Sequence, residues 1–199
     1  MKKIILLFLC IISFLISCRT DNESFTNIKS PASPLINGLQ SYWTISQVEK
    51  NFLAELKFYV IKDSKLPIGD KRPPYNFYII SLPDYAHLDQ IGELNLTFFN
   101  NRLMSTTFFP INVNNYILEL NKSNYNFDLN TLNRNSGSQI KMIPPFTKVN
   151  FALNYQKKYY VSWSDTRLND EHQKWISRYA QLQMPNQRLN LTAIFVRRI

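Results

Sequence analysis

The chain has 199 residues and carries 23 lysines and arginines against 14 aspartates and glutamates, a formal charge of +9. Hydrophobic residues make up 45% and charged ones 19%, a globular balance that excludes disordered, collagen-like and low-complexity classes. The 4 glycines (Gly38, Gly69, Gly92 and Gly137) stand far apart, which removes the glycine-rich phosphate cradles of nucleotide-binding folds.

At the N-terminus Lys2 and Lys3 precede a run from Ile4 to Ile16 that is apolar except for Ser13, the charged and hydrophobic regions of an export signal. The run is too short to span a bilayer, which needs roughly 20 residues. It ends in Leu15-Ile16-Ser17-Cys18, which resembles the lipobox of bacterial lipoproteins. That resemblance implies cleavage after residue 17 and acylation of Cys18, a diacylglyceryl thioether on sulfur and an amide-linked palmitate-type chain on the new amine. Two or three long chains at about 0.8 kcal/mol per buried methylene anchor a protein essentially for good. Arg19 follows in place of the aspartate that retains lipoproteins in the inner membrane, so the implied address is the periplasmic face of the outer membrane. Loss of residues 1–17 takes Cys10 away and leaves no free thiol, so the mature protein enters an oxidising compartment without a disulfide.

Residues 18–36 are polar, with Pro31 and Pro34, and read as a flexible tether. A globular region is expected over 37–199, opening on the turn-forming pair Asn37-Gly38 and divisible into subdomains 37–110 and 111–199. Thr44-x-x-Gln47 is a capping box, with Trp43 placed to staple onto Val48, and Ile45, Val48, Phe52 and Leu56 recur at helical spacing. Strands are expected over 56–62 and 75–82. The segment between them carries Pro67, Gly69, Pro73 and Pro74 and reads as a stiffened loop, locally basic through Lys62, Lys65, Lys71 and Arg72 against Asp63 and Asp70. Leu94, Leu96 and Phe98 alternate with polar residues, and Asn100-Asn101 joins that strand to the next, Arg102 to Phe109, as a two-residue hairpin.

The helix Ser46-Gln47-Val48-Glu49-Lys50-Asn51-Phe52-Leu53, followed by antiparallel strands ending in Leu94-Asn95-Leu96-Thr97-Phe98-Phe99-Asn100-Asn101-Arg102-Leu103, resembles the small SmpA/BamE-type outer-membrane lipoproteins and their β-lactamase-inhibitor-like relatives. The resemblance implies helices packed on a short antiparallel sheet and a binding or assembly role without catalysis.

Further along, a helix is expected at 112–121, a polar loop over 121–138, strands at 149–155 and 158–163, a helix over 166–182 and a closing strand at 188–197. The order predicts an α+β fold with helices packed on an antiparallel β-sheet.

The inventory for chemistry is thin. His172 sits at helical spacing with Leu168, Trp175, Ile176 and Tyr179 and reads as a core-edge residue. His87-x-Asp89 falls in a segment that reads as loop, without a hydrolase elbow or metal-ligand spacing around it. Asp165, Asp170 and Glu171 beside His172 are the nearest approach to a cation site, but acidic residues opening a helix are expected from its dipole alone. No catalytic residue, metal or cofactor is therefore assigned. Dispersed basic charge without an arginine stripe argues against nucleic acid. The partners expected are the membrane, through the lipid on Cys18, and another envelope protein, with Trp43, Lys65, Lys71 and Arg72 as candidate contacts. The function expected is a membrane-anchored, non-enzymatic periplasmic binding or assembly module. The alternative is an immunity or inhibitor lipoprotein that neutralises a toxin or lysozyme-like enzyme.

Overall fold

A computed structural model describes residues 24–51, 59–135 and 137–181. Seven strands run antiparallel in one sheet: β1 (Tyr59–Lys65), β2 (Asn76–His87), β3 (Gln90–Phe99), β4 (Arg102–Pro110), β5 (Gln139–Ile143), β6 (Thr147–Leu153) and β7 (Tyr159–Asp165), in the spatial order β1-β2-β3-β4-β7-β6-β5. The β3–β4 hairpin is the centre. Asn100 and Asn101 both hold positive φ (48° and 59°), the conformation a two-residue turn needs to match strand twist. Because β4 pairs with β7, strands from both expected subdomains share a single ladder.

Four short helices accompany the sheet: α1 (Ile45–Glu49), α2 (Val113–Lys122), α3 (Leu129–Asn135) and α4 (Thr166–Trp175), the last running on as a π-helical turn over Ile176–Ala180. The capping box at Thr44 and Gln47 forms as expected, and Asn112 caps α2 by accepting from the Asn115 amide. The period-2 face of β3, Leu94, Leu96 and Phe98, is fully buried with Phe108, Val161, Trp163, Val149 and Phe151 from its neighbours. It is covered by Leu35, Ile36, Leu39, Val48 of α1, Tyr116, Ile117 and Leu120 of α2, and Leu132 of α3. On the opposite face a second, smaller core gathers at one end of the sheet, where Phe77, Phe99 and Met104 meet Leu168 and Trp175 of α4 together with Phe25 and Tyr42.

The expected class, α+β with helices packed on an antiparallel sheet, is corrected by this arrangement. Over the described residues the chain is sheet-dominated, about 40% strand against 25% helix, and its helices are pieces of 5 to 10 residues that patch the sheet rather than form a layer. The physical reasons are local. Strand β2 continues to His87 because Pro83 and Asp84 bulge out of the ladder between Leu82 and Tyr85, so the proline removes no pairing donor. Strand β5 lies on the sheet's edge, where half-exposed Gln139, Lys141 and Ile143 alternate with exposed Ile140 and Met142, a pattern with no apolar face. The stretch expected to be loop over 121–138 contains α3.

The tether is also corrected. Phe25 is 2% exposed, and Ser33, Leu35 and Ile36 are buried, so the segment is pinned to the fold at Phe25 and again from Ser33, with residues 26–31 exposed between. Two buried charges hold this strap down. Arg102 donates from Nη1 to the Asn27 carbonyl (2.6 Å) and from Nη2 to the Phe25 carbonyl and to Glu171 of α4 (Oε1, 2.7 Å). Asp165, the N-cap of α4, accepts from the hydroxyls of Ser33 (2.7 Å) and Ser41 (2.8 Å) and from Arg167 (2.7 Å). Burial pushes the Asp165 carboxyl up, but the hydrogen bonds from Arg167, Ser33 and Ser41 outweigh it and hold it below the usual carboxylate range. Cys18, Phe52, Leu56 and the closing strand expected at 188–197 lie outside the described residues.

Candidate functional site

The antiparallel register gives the sheet two distinct ends. At one lie the β1–β2 loop, the Asn100–Asn101 turn, α4 and Phe25. At the other lie the β2–β3 turn, the exit of β4 into α2, and the β6–β7 turn. An open groove of about 420 Å³ occupies this second end, lined by Pro83, Gly92, Glu93, Phe109, Pro110, Ile111, Val113, Lys157, Lys158 and Tyr159.

Each wall has a structural origin. The Pro83 bulge draws the β2 backbone aside. Gly92 forms the floor because nothing larger fits: a Cβ there would meet the Phe109 carbonyl oxygen at 2.3 Å and the Phe108 ring at 2.8 Å. On the rim, Glu93 accepts from the Ser81 hydroxyl (3.0 Å). Opposite it, the β6–β7 turn is closed by the Asn154 amide donating to the Lys158 carbonyl and the Lys157 amide donating to the Asn154 carbonyl (2.9 Å each), with the Asn154 side chain accepting from the amides of Gln156 and Lys158. That turn sets exposed Lys157 and Lys158 beside Tyr159. The arrangement offers an open trough of mixed polarity, with Phe109, Pro110, Ile111 and Val113 beside two lysines and one glutamate, which suits an extended peptide carrying acidic side chains.

The reactive side chains are elsewhere and are engaged in packing. His87 ends β2 rather than lying in a loop; Leu88 and Asp89 make the turn after it (φ 51° and 56°). Its Nδ1 shares a 2.8 Å hydrogen bond with the Tyr116 hydroxyl, and the rings of Phe108, Tyr116 and Trp163 surround it. Burial pulls its pKa down to about 4, so it is neutral at pH 7. His172 lies over Phe77 and against Phe99 (ring centroids 4.9 and 5.0 Å), its Nε2 3.3 Å from the Tyr75 hydroxyl. Burial, aided by the nearby charge of Lys62, lowers it to about 4 as well. The acidic group considered for a cation is divided among structural tasks: Asp165 binds the strap and Arg167, while Glu171 pairs with Arg102. Among the described residues no three His, Cys, Asp or Glu side chains gather as a metal site.

The expected contact residues are placed as follows. Trp43 is half-buried against the main core, and its carbonyl accepts from the Leu103 amide (2.8 Å). Arg72 is committed: its guanidinium pairs with Asp70 (2.6 Å), donates to the Tyr179 carbonyl (3.1 Å) and lies over the Trp175 ring. Lys65 makes an exposed pair with Asp63 (3.2 Å), and Lys71 points to solvent beside it. The loop therefore leaves Lys65 and Lys71 exposed and uses Arg72 to fix itself to the helical end of the fold. Cys18 lies outside the described residues.

The groove was not signalled by any motif. Its residues come from four separated segments, and the only local cue is a lone glycine inside a strand, which marks a close backbone approach. No protein-family model matches this chain, and no curated protein matches it either.

Proposed function

We propose that this chain is a lipoprotein of the bacterial envelope, anchored through acylated Cys18 at the periplasmic face of the outer membrane, that works as a non-enzymatic module binding another envelope protein. The Leu15-Ile16-Ser17-Cys18 tail of the export signal supports the anchor. The observation that carries the binding role is the state of the two histidines: both are neutral, both are enclosed by aromatic rings, and each already shares a hydrogen bond with a tyrosine. The groove at the far end of the sheet, with Lys157 and Lys158 on its rim, is the surface assigned to the partner.

The anchor is tested with Cys18→Ser, which is expected to abolish labelling by radioactive palmitate and leave the precursor uncleaved; a labelled serine variant overturns it. The binding role is tested in cells with a photo-crosslinker at Ile111, an 81% exposed groove residue. A discrete adduct with one envelope protein is expected, lost in Lys157→Glu/Lys158→Glu and retained in His87→Gln/His172→Gln. A folded double-histidine variant that loses the cellular role overturns the non-enzymatic reading.

A further inference from the structure

The strap and the β1–β2 loop meet on one side chain. Asn100 Nδ2 donates to the Phe25 carbonyl and to the Pro74 carbonyl, 2.8 Å each, so the first packed residue of the chain and the base of the loop share a single nitrogen. Phe25 lies seven positions after Cys18. At about 3.5 Å per residue even a fully extended leash holds this end of the sheet within about 25 Å of a lipid on Cys18.

What the fold presents at that end is an apolar point among lysines. Ile68 is fully exposed at the tip of a turn closed by the Asp70 amide on the Pro67 carbonyl (3.2 Å), with Gly69 supplying the positive φ of 86°. Pro67, Pro73, Pro74 and the Arg72 contacts to Asp70 and Tyr179 fix the loop in advance, so little ordering entropy remains to be lost on docking. Lys65 and Lys71 flank the tip. On the strap, Ile28 is 74% exposed and is followed by exposed Lys29.

We propose that this end of the molecule docks on the membrane that holds the lipid, with Ile68 entering the interface of an anionic phospholipid surface and Lys65, Lys71 and Lys29 at the level of the headgroups. The inference rests on the anchor at Cys18, because one loop binds weakly alone and needs the high effective concentration that a short leash provides. It goes beyond that anchor in fixing the orientation of the folded part: the loop end faces the bilayer and the groove end faces away.

The test uses the mature acylated protein in vesicles of phosphatidylethanolamine and phosphatidylglycerol. Cys10 is removed with the signal and the Cys18 sulfur is acylated, so Ile68→Cys carries the one free thiol and takes an environment-sensitive fluorophore. Tyr155→Cys, 91% exposed on the β6–β7 turn at the opposite end, is the reference. Quenching of the residue-68 probe by nitroxide-bearing lipid, several-fold above that at residue 155, is expected. The penetrating population should fall by about fivefold for each engaged lysine when the anionic lipid is replaced by neutral lipid. A membrane-bound protein whose residue-68 probe is as wet as the residue-155 probe overturns the docking and leaves the anchor intact. A residue-68 probe that is wet in vesicles but dehydrated in native membranes assigns the loop to a protein and overturns lipid docking. Protein that cells mature without acyl chains and that fractionates in the aqueous phase overturns the anchor and the docking together.

Discussion

Replacing Arg102 by methionine tests whether the N-terminal strap is part of the fold. The side chain is 3% exposed and serves the Glu171 carboxylate and the carbonyls of Phe25, Asn27 and Phe99. Methionine keeps most of the apolar length and removes every donor, leaving Glu171 as a buried charge without its partner. Breaking one side of a buried pair costs about 3–5 kcal/mol, a large part of the 5–15 kcal/mol typical of a domain. Glu171→Gln should cost only about 1–2 kcal/mol, because Arg102 keeps its carbonyls and the amide oxygen still accepts. The pair Arg102→Met/Glu171→Leu should recover part of the loss but not all, since the Phe25 and Asn27 carbonyls remain without that donor. Urea titration gives the three values. Limited trypsin digestion should show cleavage after Lys29 rising in Arg102→Met, as the strap detaches. A variant within about 0.5 kcal/mol of wild type, with Lys29 still protected, would refute the view that this guanidinium fastens the strap.

Acid should destabilise the protein in a defined window. Both histidines have folded pKa values lowered to about 4 from 6.5, so the unfolded chain binds protons first, and their contribution is complete above pH 6.5 and lost as pH falls towards 4. After discounting for partial exposure, about 1–2 kcal/mol per histidine is expected by denaturant titration across that range, and a flat profile would contradict it. Gly92→Ala should cost at least about 1–3 kcal/mol, because its methyl meets the Phe109 carbonyl rather than a yielding side chain, and should weaken cross-linking from Ile111; wild-type stability would show that the close approach is absent. Doubling the leash with seven Gly/Ser residues between Arg19 and Ser24 should lower penetration of the residue-68 probe by about threefold, following the effective concentration of a longer tether. Unchanged penetration would mean that the loop needs no leash.

Legibility followed the range of the interactions. The Thr44 and Gln47 cap, the Asn100–Asn101 turn and the buried row Leu94, Leu96, Phe98 depend on neighbours a few residues apart, and their patterns were readable. Strand β5 was not, because an edge strand exposing Ile140 and Met142 has no buried face to impose alternation. The strap escaped for a different reason. Residues 19–36 are polar in composition, but Ser33 is satisfied by Asp165 from 132 positions away, and Phe25 by Arg102 from 77. Polar residues read as solvated when their partners cannot be seen. His172 was legible as a core-edge residue because its apolar neighbours share its helix. His87 was not, because the Pro83 bulge that lets β2 run on to it is invisible to a rule that ends strands at proline.

The two ends of the sheet are chemically unlike, and their separation has consequences for what the groove can meet. Strand β3 spans from the groove floor at Gly92 to Phe99 beside the strap, so at about 3.4 Å per residue the groove stands roughly 25 Å beyond the end proposed to face the membrane. On the proposed orientation a partner seated there must reach well clear of the bilayer, as a soluble protein or the extended arm of an embedded one does. The rim supports the same conclusion from charge. In the proposed orientation Lys157 and Lys158 would lie far from the phospholipid headgroups, free of that competing anionic surface and available to acidic side chains on a protein. The lysines near the leash would face the opposite situation: with Cys18 acylated as proposed, they would sit within reach of a surface held at high local concentration, which favours headgroups over any partner that must first diffuse to them.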